Sequence, residues 1–194
     1  MQTAEYLAFI PLLMYGLGLS EILSQWRRLF DPKEWYLPYT VFTIILTEVT
    51  VYNVFIYIDL LDQLPGQNYF SYLTFLIPPF LFILTTNAFT PDKEANTKEH
   101  FVKRMPTFFS LLALYILSHF IFTFEESFYI HIIRLVLVLI LIIGAFTRKI
   151  WLVYLIALFW LFSFIVRGSK ESVTAQADAP QVEQYYSFYR WTAS

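Results

Sequence analysis

The chain of 194 residues is 58% hydrophobic and 21% aromatic with only 14% charged residues, more apolar side chain than a soluble domain of this size can hide and a balance that a bilayer accepts. Its formal charge of −2 points to no partner, and no basic footprint suits nucleic acid. With no cysteine, disulfides, thiolate metal sites and cysteine nucleophiles are excluded.

Six apolar segments are long enough, or nearly so, to cross about 30 Å of hydrocarbon as helices: 6–26, 36–58, 69–89, 106–124, 127–147 and 150–166. The runs are continuous rather than alternating, and an open sheet in lipid leaves backbone groups unpaired, so helices are expected. The sequence thus predicts an all-α, polytopic transmembrane bundle of about six spans over 1–166, then a polar linker and aromatic C-terminal segment over 167–194. The first segment has no basic region before it and no small-residue cleavage pattern after it, and reads as a retained span. Basic residues gather in alternate connections: Arg27, Arg28 and Lys33; Lys93, Lys98, Lys103 and Arg104; Arg148 and Lys149. Under the positive-inside rule these connections are cytoplasmic, which puts both termini on the other side of a membrane such as the bacterial inner membrane. Arg167 and Lys170 object mildly, and the objection vanishes if 150–166 does not cross.

Span one carries Gly16, Ser20 and Ser24 at four-residue steps, a seam of small side chains that lets a neighbouring helix approach, within the bundle or from a second protein. Glu21, near its end, is expected to snorkel toward Arg27, Arg28 or headgroup water. On span two Thr40, Thr43, Thr47 and Thr50 share a face with Asn53 trailing off it, and threonines that bond back to their own helix make poor evidence for a pore. Glu48 projects from another side at mid-span, with Tyr52 one turn on. Such a carboxyl costs at least about 2.5 kcal/mol there and must find a partner, water or a proton. Ionisable side chains within the spans are therefore expected to turn inward. Pro78 and Pro79 in span three remove the helical partners of the Thr74 and Phe75 carbonyls and predict a kink. The stretch Thr90 to Glu99 reads as a solvated turn, and His100 receives no role.

The densest ionisable cluster lies on the hairpin of spans four and five. Tyr115 and His119 stand one turn apart on one arm, His131 and Arg134 on the other, and Glu125 and Glu126 occupy the turn. Counted from that turn, both histidines lie about 6 to 8 Å into their helices and Arg134 about 10 Å, so contact across the hairpin is expected. Three chemistries fit: a structural network with Arg134 neutralised by Glu125 or Glu126, a proton-linked or ligand site, or haem b held by His119 and His131. No cofactor is otherwise predicted, because phosphate loops, nucleophile elbows and H-E-x-x-H patterns are absent.

The tail repeats aromatic residues, among them Tyr185, Tyr186, Phe188, Tyr189 and Trp191, and is expected to lie in the membrane interface or dock on a protein. Together these features favour a non-catalytic membrane subunit or regulator that contacts lipid and a protein partner, or a second copy, through the tail and span one. A small transporter or channel using Glu48, His119 and His131 is the alternative, and a haem electron carrier the third.

Overall fold

The computed structural model describes residues 3–59, 69–92, 94–120 and 128–165, and among these all regular structure is helical. Helix α1 spans Thr3–Ser24, α2 Arg27–Phe30, α3 Leu37–Asp59, α4 Tyr69–Phe75, α5 Ile77–Phe89, α6 Thr97–His119 and α7 Phe128–Thr147, and α8 spans Trp151–Ile165. Among the described residues three stretches are long and apolar enough to cross a membrane: Leu37–Phe55, Tyr72–Phe89 and Thr97–His119. Two apolar helices are shorter, His131–Thr147 and Trp151–Ile165. The aromatic tail and the turn with Glu125 and Glu126 lie outside the described residues.

The chain forms two compact units, Met1–Ala157 and Leu158–Ser194. In the first, α5 packs on α6, α6 on α7, and α1 on both α5 and α3. Rings fill its centre. Tyr39 of α3 stacks on Phe89 of α5 with centroids 4.5 Å apart, and Phe42 meets Phe108 of α6 edge-on at 5.0 Å. Phe42, Phe82, Phe89, Phe101, Phe108 and Phe109 are all almost fully buried. Rings suit this interior because their tilted contacts add to the dispersion that must hold helices together where lipid is as apolar as protein. In the second unit Trp160 stacks on Phe164 at 5.9 Å.

Several boundaries depart from those read in the sequence. The Pro78-Pro79 pair starts a helix instead of bending one: α4 stops at Phe75, Leu76 turns, and both prolines fall in the first turn of α5, where their missing N–H groups would have had no intrahelical partner. Helix α6 begins at Thr97, well before residue 106, because Asn96 caps it by accepting from the Lys98 and Glu99 N–H groups at 3.1 and 3.2 Å. The last three residues of the supposed solvated turn, Thr97 to Glu99, are thus helix, held inward by buried Thr97 and Phe101. Between α7 and α8 only Arg148, Lys149 and Ile150 intervene, and Arg148 turns the chain with φ of 53° while its N–H caps the Gly144 carbonyl at 2.9 Å. A left-handed residue closing a helix end in this way is usually glycine.

Candidate functional site

Helices α1, α3 and α6 meet at a polar junction built from Tyr15, Asn53 and His119. Asn53 is 6% exposed and reaches inward from the same face of α3 as buried Thr43 and Thr50. Its Nδ2 donates to the Val49 carbonyl one turn back at 2.6 Å, which turns its Oδ1 toward the other two side chains. The Tyr15 hydroxyl donates to that oxygen at 3.3 Å, and His119 Nε2 lies 3.1 Å from it. The other ring nitrogen, Nδ1, lies 2.9 Å from the Tyr115 carbonyl. Aromatic rings wall the junction: Tyr115 meets the His119 imidazole edge-on at 4.7 Å, and Phe82 of α5 lies 5.4 Å from both Tyr15 and Tyr115.

The structure brings together only part of the expected hairpin cluster. His131 turns to the Phe120 ring, 5.4 Å away, with its Nδ1 buried and lacking a hydrogen-bond partner among the described residues. No hydrogen bond joins the two histidines. Arg134 shares the inward stripe of α7 with buried Val138, Leu141 and Ala145, and its charge acts on His119. Glu125 and Glu126 lie outside the described residues. Haem does not fit this arrangement, because axial ligation needs an outward imidazole lone pair and both nitrogens of His119 already face oxygen atoms of the protein. Among the described residues no group of three or more His, Asp or Glu side chains could hold a metal ion.

The remaining candidates are dispersed. Thr40, Thr43, Thr47 and Thr50 each donate to the carbonyl four residues back, at 2.7 to 3.3 Å, so their hydroxyls serve their own helix. Glu48 and Tyr52 are half-buried, and Glu48 stands in the row of exposed Ile44, Val51 and Phe55, on a different face from Asn53. Arg134 thus stands on a stripe with buried side chains, whereas Glu48 stands on a row with exposed ones. Along α1 the close approach falls at Gly18, where a Cβ would sit 2.7 Å from the Phe82 ring, while Gly16 has nothing within 4 Å and Ser20 and Ser24 are exposed. The small-residue seam faces out of the bundle.

A second polar site escaped the sequence reading. Arg28, only 7% exposed, donates to Gln25 Oε1 at 2.7 Å, Glu34 Oε2 at 3.0 Å, the Asp92 carbonyl at 2.6 Å, the Ala95 carbonyl at 2.7 Å and Thr97 Oγ1 at 3.3 Å. The same Glu34 oxygen accepts from the Thr97 hydroxyl at 2.8 Å and its N–H at 3.3 Å. This staple ties the connection after α1 to the one before α6. The Thr97 hydroxyl foremost holds the Glu34 carboxyl below the usual carboxylate range; desolvation, the next effect in size, opposes it, and the Thr97 N–H and the Arg28 guanidinium add to the lowering. Glu21 is exposed, and the Arg28 guanidinium is turned to Glu34. Beside the staple an open groove of about 460 Å³ is lined by Ser24, Gln25, Arg27, Arg28, Asp31 and Glu34.

Among the described residues, all-helical regular structure with buried polar junctions and three apolar stretches of membrane length define a membrane protein of the α-helical class. Compared with protein-family models, curated proteins and solved structures, it matches none of them.

Proposed function

We propose that this chain is a non-catalytic integral membrane protein that works by association, as a structural or regulatory subunit, with the outward stripe of α1 as a contact face. The observation that carries the reading is the contrast between Gly18, pressed against Phe82, and Gly16, with nothing within 4 Å, on a stripe continued by exposed Ser20 and Ser24. Apolar side chains gain little by leaving lipid for each other, so close backbone approach at small residues is a main source of attraction between membrane helices. The bundle uses that device internally at Gly18. The same chemistry turned outward suits a neighbouring helix.

The finer threading belongs to the same proposal: six spans, with the connections holding Arg28, Lys98 and Arg148 cytoplasmic and both termini opposite, in a membrane such as the bacterial inner membrane. The segregation of Lys and Arg supports it. The aromatic tail is assigned to the same partner or to the interface.

The natural absence of cysteine makes the test clean. Gly16→Cys and Ser20→Cys proteins, loaded in native membranes with a short maleimide–diazirine cross-linker, are expected to capture a protein neighbour on illumination. Ile44→Cys, exposed on α3, serves as the comparison. Capture of lipid alone from both α1 positions would remove the association reading.

A further inference from the structure

We infer that His119 is a proton-binding site that joins α1, α3 and α6. The argument rests on which atoms can donate. The Val49 carbonyl fixes the Asn53 amide, since exchanging its nitrogen and oxygen would bring two oxygens within 2.6 Å. Asn53 Oδ1 is therefore an acceptor, and so is the Tyr115 carbonyl on the other side of the ring. A neutral imidazole has one N–H and one lone pair. In either tautomer it satisfies one acceptor and aims its lone pair at the other, from 2.9 Å or from 3.1 Å.

Only the imidazolium answers both. The lone-pair nitrogen takes a proton from hydronium, one N–H bond forms, water leaves, and the new N–H points at an oxygen already in place. Protonation then adds a charge-assisted bond at the junction of three helices. The groups that face the ring divide for and against it. Asn53 from α3 favours the added N–H, and the Tyr15 hydroxyl from α1 competes for the same oxygen. Burial of the ring opposes the charge most strongly; the Tyr115 carbonyl from α6 itself favours it, and the like charge of Arg134 from α7 adds to the opposition. The neighbouring wall from α5 is the Phe82 ring and brings no charge. The inference does not depend on the association reading.

The test is nitrogen NMR of the full chain, ¹⁵N-labelled at its 3 histidines and held in lipid nanodiscs, followed from pH about 8 to about 3, because burial disfavours the charged ring. The expected result is a His119 ring that passes from one protonated nitrogen to two. Arg134→Gln is expected to move that midpoint to higher pH, and Asn53→Leu to lower it by about one pH unit, a tenfold loss in proton affinity. Tyr15→Phe removes the competing donor with little change of shape and is expected to raise it, which keeps the inference testable if Asn53→Leu does not fold. A ring that holds one tautomer throughout the range, or a midpoint that ignores both Asn53 and Tyr15, overturns the proposal.

Discussion

At the scale of single residues, two glycines one turn-fraction apart on α1 have opposite consequences. Gly18→Leu drives a side chain into the buried Phe82 ring and is expected to destabilise the detergent-isolated protein by about 1 to 3 kcal/mol. Gly16→Ala meets nothing within 4 Å and is expected to leave that stability unchanged or raise it by up to about 1 kcal/mol through helix propensity. Thermal unfolding followed by circular dichroism separates them, and equal losses would contradict the packing of α1 on α5. Sequence alone could not rank the two, since rotation of a helix in lipid is set by neighbours and both of its faces are apolar.

Glu34 supplies a pH dependence whose sign can be worked out. Its folded carboxyl titrates lower than its unfolded one, so the stability it contributes is complete above the ordinary carboxylate range and is lost as pH falls through the folded value. Acid is therefore expected to loosen the staple, and Glu34→Gln to flatten the acid limb of a plot of melting temperature against pH. Arg28→Met leaves the Asp92 and Ala95 carbonyls and the Glu34 carboxylate without their shared donor and is expected to cost about 3 kcal/mol at neutral pH. An unchanged melting temperature in Arg28→Met would mean that the two connections are held by something else.

At the scale of elements, the turn between α7 and α8 offers the plainest test. Arg148 sits at φ of 53°, where a Cβ crowds the following carbonyl, so Arg148→Gly is expected to stabilise the turn by about 1 kcal/mol. A loss of stability would instead assign the arginine side chain a holding role. Much of the elemental structure was legible: the span read as 127–147 is α7 at Phe128–Thr147, and the proline pair does divide its segment. The start of α6 was legible too, in Asn96 followed three residues later by Glu99, a pattern that marks a helix beginning. It was missed because hydropathy, which rises only near Met105, was allowed to set the boundary. The Arg28 contacts were not legible at all. They join residues as many as 69 positions apart, and nothing in a local pattern pairs an arginine with particular distant carbonyls.

The candidate site divides in the same way. Periodicity found Asn53, Tyr115 and His119 as polar groups on helical faces, but matched His119 with His131 because equal depth was taken for contact. Depth is one coordinate; rotation is the other. The ring of His119 is drawn across to α3 by an amide oxygen, and His131 packs on Phe120.

At the scale of the whole molecule, the described bundle has an aromatic interior between α3, α5 and α6 and a polar junction among α1, α3 and α6. Phe42 touches Phe101, Phe108 and Phe109, so Phe42→Ala is expected to cost about 3 to 5 kcal/mol, read from the unfolding transition in mild detergent. The six-span threading is open to a direct check with a membrane-impermeant maleimide. Lys98→Cys is expected to be labelled only from the cytoplasmic side and Gln63→Cys only from the opposite side, and labelling of both from one side would discard the proposed topology.

The guanidinium staple also bears on how the protein is made. Arg28 leaves the ribosome long before the carbonyl of Ala95, which follows it by 67 positions. At ordinary elongation rates that interval is on the order of several seconds. Through it the cation at the end of the first helix has only its near partners Gln25 and Glu34, and its final seat is taken once Asp92, Ala95 and Thr97 have been added.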